Sequence, residues 1–172
     1  MKTLKRIIKP VFFFLIVCIT CSYIAYAQGE KKEKQATKAA LIKNLIDSQN
    51  FVFVPQSVLP LRGTTRQLTS YYDIVLSKDS LVSYLPYFGR SYSAPSDPTD
   101  IGFNFTSTKF EYTNTPTKKG GWDILVKPKD YREVKELSFR IFDNGSASLN
   151  ITPLNRDPIS FQGYIKDRKQ RK

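Results

Sequence analysis

From Phe51 to Ile165 the apolar residues fall in short runs, often at every second position, with turn-forming residues between the runs. Leu137, Phe139 and Ile141 alternate with Ser138 and Arg140, and Leu149 and Ile151 alternate with Asn150 and Thr152. A period of two sends successive side chains to opposite faces of a strand, so one face is buried and the other wet. Together with β-branched and aromatic enrichment, this pattern predicts nine strands, at 51–54, 71–77, 81–84, 102–107, 110–115, 122–127, 136–142, 147–152 and 159–165. The first of them runs into Pro55. Turn chemistry separates the later ones at 117–121, 143–145 and 155–158. Asn144-Gly145 predicts a primed two-residue hairpin turn joining antiparallel neighbours, because both residue types accept positive φ.

Upstream the period changes. Ala40, Leu41, Leu45 and Ile46 recur at helical spacing within a lysine-rich stretch, which predicts one amphipathic helix over about 32–48. Its lysines form the solvated face, and its apolar stripe packs on the domain or plugs one end of it. Nine short strands with polar outer faces make a meandering antiparallel sheet. Such a sheet leaves two open edges unless it curls shut, and a single helix is too small to cover it flat. The predicted fold is therefore mainly β, a small antiparallel β-barrel with one N-terminal α-helix; the alternative is a β-sandwich.

The first 27 residues have a different character. A cationic start with Lys2, Lys5, Arg6 and Lys9 precedes an apolar run from Val11 to Thr20 and the small-residue site Ala25-Tyr26-Ala27. That order is what a secretory signal peptidase reads, and the run is short for a membrane span. The expected organisation is a signal peptide at 1–27 cleaved after Ala27, a charged segment and helix at 28–50, a β domain at 51–166 and a basic tail at 167–172. The chain carries 27 basic and 15 acidic residues; removing the four basic residues of the leader leaves 23 against 15, a net charge of +8. Both cysteines, Cys18 and Cys21, lie in the leader, so the processed chain has no thiol chemistry and no disulfide. Neither cysteine follows the small residue that lipoprotein processing requires, which favours cleavage over lipid anchoring. The expected location is the periplasm or the cell surface, with no transmembrane segment in the mature chain.

The sequence contains no histidine. The commonest general base, the Ser-His-Asp arrangement and imidazole metal sites are thereby excluded together. No cofactor or metal motif is present: Asp97-Pro98-Thr99-Asp100 lacks the further oxygen ligands of a calcium loop. The acids are scattered through turns and outward strand positions, which disfavours a paired-carboxylate hydrolase acting on glycans. The basic residues are equally dispersed, so no nucleic-acid partner is expected, and the run from Lys166 to Lys172 would make at most weak contact with an anionic membrane surface. Asp79-Ser80-Leu81 matches a short O-glycosylation acceptor pattern on a predicted turn, with little specificity.

One stretch departs from this generic β grammar. Tyr84, Tyr87, Phe88, Arg90 and Tyr92 fall within nine positions. The three tyrosines would line a cleft that stacks a planar or sugar ligand, and Arg90 would offer a planar fork to a carboxylate or phosphate. Arg62 and Trp122 are weaker additions to this set. The competing structural reading has the aromatics sealing a barrel end and Arg90 paired with an acid.

Leu61-Arg62-Gly63, the LPYFGR segment from Leu85 to Arg90, Gly120-Gly121-Trp122, Asn144-Gly145 and Phe161-Gln162-Gly163 together resemble an exported-protein family widespread in Bacteroidetes and classified only as a domain of unknown function. The resemblance extends over most of residues 40–165. It implies a periplasmic or cell-surface chain with a lipocalin-like β-barrel, and it implies no activity and no binding residues. The expected function is a non-enzymatic binding module whose barrel mouth is framed by aromatics and Arg90, with a small-molecule, glycan or protein partner. The alternative is an envelope structural or interaction protein that works through its outer surface or a sheet edge.

Overall fold

The computed structural model describes residues 33–92, 102–118 and 120–170. The leader, both cysteines and the Asp97–Asp100 run lie outside the described residues. Two units are distinguished, Met1–Lys38 and Ala39–Lys172. Of the first, residues 33–38 are described, as the exposed opening of helix α1 (33–47), where the Thr37 hydroxyl donates to the Glu33 carbonyl at 2.9 Å.

The second unit is the β domain. It contains β1 (Phe51–Pro60), β2 (Arg66–Gln67), β3 (Asp73–Leu76), β4 (Leu81–Pro86), β5 (Gly102–Ser107), β6 (Phe110–Pro116), β7 (Trp122–Pro128), β8 (Val134–Ile141), β9 (Ser146–Pro153) and β10 (Ile159–Lys166). The strands pair antiparallel in the order β5-β4-β3-β1-β10-β9-β8-β7-β6, with β2 on the flank of β1. Each of the nine predicted strands is present, and the helix occupies 33–47 of the predicted 32–48.

The two ends of this path are neighbours in sequence, separated only by Thr108 and Lys109. Eight antiparallel pairings connect β5 to β6, an even number, so both edge strands run in the same direction. Residues 102–116 thus act as one interrupted strand whose first half bonds to β4 and whose second half bonds to β7. The sheet is nearly closed into a barrel because a single stretch of chain serves both of its edges. The stagger that closure demands appears here as a change of partner along one strand.

Asp130 pins the break. Its carboxylate accepts the Thr108 and Lys109 amides at 2.9 and 3.2 Å and the Ser107 hydroxyl, while the Lys129 amide donates to the Lys109 carbonyl at 2.7 Å. These donors, led by Ser107, hold the Asp130 carboxyl down to about 2, against 3.8 for an ordinary aspartate. A depressed carboxylate stabilises the fold above its unfolded pKa and loses that contribution as pH falls through its folded value. The gap in melting temperature between wild type and Asp130→Ala is therefore expected to be constant above about pH 4.5 and to narrow toward pH 2. A gap that is unchanged at pH 2 in a calorimetric series would show that the carboxylate's charge is not what matters.

Two departures from the sequence expectation have local causes. β1 continues past Pro55 to Pro60 because the register shifts between Pro55 and Ser57, and this bulge accommodates a residue that cannot donate to the ladder. Gly163 sits opposite Pro55, where a Cβ would lie 2.1 Å from the Val54 carbonyl oxygen, so the close approach requires glycine. The 143–145 turn joins β8 to β9 as expected, but as a three-residue loop rather than a primed two-residue turn. Gly145 (φ 80) alone takes the left-handed region, its amide donates to the Phe142 carbonyl at 2.8 Å, and Asn144 Oδ1 accepts the Ser146 amide at 2.9 Å. That is a type I turn closed by a glycine bulge.

The core lies inside the curl. Phe51, Phe53, Phe103, Phe139 and Phe161 are fully buried with Ile74, Leu81, Leu85, Leu137, Leu149 and Ile151. Phe139 meets Phe51 and Phe53 edge-on at 6.0 and 5.8 Å. Ile42 and Ile46 of α1 join this core, and the Tyr112 hydroxyl of β6 reaches the Ile46 carbonyl at 3.5 Å. The apolar stripe of residues 39–47 therefore packs at the end of the barrel where β1 begins.

Candidate functional site

The opposite end gathers the segment after β1, the segment after β4, the β7–β8 link and the β9–β10 link. Arg62, residues 87–92, residues 129–133 and residues 154–157 all meet this rim. Strand ends of antiparallel neighbours converge there, so side chains far apart in sequence come close together.

Arg156 organises the rim. It is only 9% exposed; its guanidinium donates to the Gly102 carbonyl at 3.1 Å and to Glu133 at 3.3 Å, and lies 5.4 Å from the Tyr87 ring centre and 5.8 Å from that of Phe103. Glu133 also accepts the Tyr131 hydroxyl at 3.2 Å. The 87–92 segment is bound to the 155–157 segment by backbone hydrogen bonds from Tyr92 to Asn155 and from Asp157 to Arg90, at 2.9 and 3.0 Å. The Tyr87 hydroxyl lies 2.8 Å from the Arg90 carbonyl and 3.1 Å from that of Asp157, and the Tyr92 hydroxyl donates to the Asp157 carboxylate. Burial pushes the Tyr87 phenol up to about 12, with the Asp157 carboxylate adding to the shift. The Tyr92 phenol is also raised, chiefly by its hydrogen bond to Asp157.

Of the sequence-identified residues, Tyr87 and Tyr92 therefore hold the rim together, as the structural reading of the aromatics expects. Its other half differs. The ion pair with an acid is made by Arg156, whereas Arg90 contributes its carbonyl and leaves an exposed side chain. Arg62 is exposed on the same rim, near enough to Tyr92 for both Arg62 and Arg90 to favour the phenolate electrostatically. Trp122 is elsewhere. It pairs with Pro116 at the far end of the 102–116 path, whereas the tyrosine segment adjoins Gly102 at its start, and the indole packs against the core.

Tyr84 points the other way from the core. Leu81, Ser83 and Leu85 face inward along β4, which turns Tyr84 outward with half of its surface exposed. Its ring lies 5.5 Å from that of Tyr72, inclined by 32°. Beside them opens a pocket of about 270 Å³ lined by Tyr72, Tyr84, Tyr87, Phe88 and Asn104, with Leu85, Pro86 and Gly102 forming its floor and margin. Gly102 is required there, since a Cβ would stand 2.3 Å from the Leu85 carbonyl oxygen. The pocket thus lies on the outer face of the β4–β5 edge, while the barrel interior around the buried phenylalanines is filled by side chains.

Tyr72 and Asn104 are pocket residues that sequence reasoning missed. Asn104 stands directly across from Tyr84 in the β4–β5 ladder and so shares its outward face, whereas Tyr72 precedes β3, packs partly against the core and reaches the pocket beside the Tyr84 ring. Arg66 was visible only as one of many basic residues, yet its guanidinium lies 5.2 Å from the centre of the Phe88 ring. In the Asp79-Ser80-Leu81 turn the Ser80 hydroxyl is engaged with the Ser77 hydroxyl at 2.9 Å. Among the described residues, no helix is long and apolar enough to cross a membrane.

No curated protein matches this sequence. A crystal structure of a DUF4251 family protein from Bacteroides eggerthii is similar in fold, with a TM-score of 0.58 at 13% identity over 79% of this chain and 93% of that one. The sequence profile of DUF4251, a domain of unknown function, matches residues 33–165. Neither match names an activity. On the extent of that profile match, the chain belongs to the DUF4251 family.

Proposed function

We propose that this chain is an exported, non-enzymatic binding module of the cell envelope, which holds a small ligand against the Tyr72–Tyr84 face at the barrel rim. The observation that carries the reading is the division of labour among the tyrosines. Tyr87 and Tyr92 are occupied by structural hydrogen bonds, whereas Tyr84 is 50% exposed beside an open pocket with an amide, Asn104, across from it. An aromatic face with one adjacent hydrogen-bonding group is the usual furniture of a small-molecule or sugar site. The cationic and apolar segments and the Ala25-Tyr26-Ala27 site of the leader support export to the periplasm or cell surface.

Native mass spectrometry of the protein purified from its own host tests the reading. A bound mass in the wild type that is absent from Tyr84→Ala is expected; retention of the same mass by the variant would remove Tyr84 from the site. A second reading, docking of a partner strand, rests on β6, which among the described residues pairs only with β7 and exposes Glu111, Thr113 and Thr115. A bare wild-type mass together with a partner crosslinked at Thr113 would favour it.

A further inference from the structure

We infer that the ligand of this pocket is an anion, with a carboxylate or phosphate set beside a ring or sugar that stacks on Tyr72 and Tyr84. This rests on the binding reading above and names the chemistry of its ligand. Three exposed guanidiniums stand around the 87–92 segment: Arg66 against Phe88, which is itself a pocket wall, and Arg62 and Arg90 close to Tyr92. None of the three forms an ion pair among the described residues.

Among the described residues, the acids of this rim are committed, Asp73 among them, buried and accepting the Tyr71 hydroxyl at 3.1 Å. Glu133 is taken by Arg156 and Tyr131, and Asp157 is buried and accepts the Tyr92 hydroxyl. A concave, partly apolar surface flanked by unneutralised cations focuses a positive potential on whatever enters it. Arginine also suits the task geometrically. Held 5.2 Å from the centre of the Phe88 ring and free of an ion pair among the described residues, the Arg66 guanidinium can offer its fork of N–H donors to two oxygens of one anionic group. A neutral glycan would leave all three arginines unused, whereas a ligand with an acid group engages both halves of the site.

Three probes separate the possibilities by calorimetric titration: phenyl β-D-glucoside, phenyl β-D-glucuronide, which exchanges one hydroxymethyl for a carboxylate, and phenyl phosphate. At least one acidic probe is expected to bind roughly tenfold or more tightly than the glucoside. That gain should disappear in the Arg62→Ala, Arg66→Ala, Arg90→Ala variant, whose melting temperature should stay close to wild type because all three side chains are exposed. Whichever acid shows the gain distinguishes a carboxylate ligand from a phosphate. Equal binding of all three probes, or an acidic preference that survives the triple substitution, overturns the anion inference and leaves the binding module standing. No binding of any probe at millimolar concentration overturns both.

Discussion

Replacing Phe139 with alanine is expected to destabilise the domain by about 3–5 kcal/mol, the range for emptying a buried aromatic site. Phe139 lies on the inward face of β8, fully buried, and its ring is met edge-on by Phe51 and Phe53 from β1. Those contacts cross the barrel interior between strands that are not hydrogen-bonded neighbours, so the cavity would open in the middle of the packing rather than beside a loop that can collapse into it. Phe139→Leu keeps most of the volume and should cost well under half as much. Urea unfolding monitored by Trp122 fluorescence reads both. A Phe139→Ala loss near 1 kcal/mol would mean that the interior is loosely filled, contrary to a barrel packed solid.

Arg156→Ala is expected to cost about 2–4 kcal/mol, because one substitution strips a buried carbonyl and a carboxylate of their shared donor. The Gly102 carbonyl loses its guanidinium partner, Glu133 keeps only Tyr131, and the rings of Tyr87 and Phe103 lose the cation beside them. Glu133 is 39% exposed and can recover water, which keeps the loss below that of a fully buried pair. Arg156→Met, which retains the packing of the stem, should fall between wild type and alanine. The effect is also local: with the clamp gone, the segment around Arg90 should be cut by trypsin faster than in wild type under native conditions. Unchanged cleavage with the full stability loss would show that Arg156 supports the fold without organising the rim.

The fold was legible because the signals that define it are local. Alternation at 137–141 and 149–152, helical spacing at 40–46 and turn residues at 143–145 each reflect a constraint imposed by nearest neighbours on one strand or helix. What depends on register was not legible. β2 is two residues long and exists only because β3 covers just Phe51–Phe53 of β1, leaving the adjoining stretch at Ser57–Val58 to Arg66 and Gln67. The change of partner at Thr108-Lys109 is likewise invisible without knowing that the sheet curls until both its edges reach one strand.

The candidate site divides along the same line. The density of tyrosine and arginine from 84 to 92 set this segment apart in the sequence, but composition cannot tell a tyrosine that donates to Asp157 from one that faces solvent. Inward and outward positions on β4 decide that Tyr84 belongs to an outer pocket, and cross-strand pairing supplies Asn104 as its neighbour. Trp122, an attractive residue by type alone, is carried by β7 to the other end of the 102–116 path.

The central claim, that the ligand surface lies outside the β4–β5 edge and not within the barrel, is tested most directly by mapping amide chemical shifts during titration with whichever of the three probes binds most tightly. The account predicts perturbations at Tyr72, Tyr84, Phe88 and Asn104, with the amides of Phe53, Phe139 and Phe161 unmoved. Shifts concentrated at those three phenylalanines, or no shifts at the outer set, would contradict it.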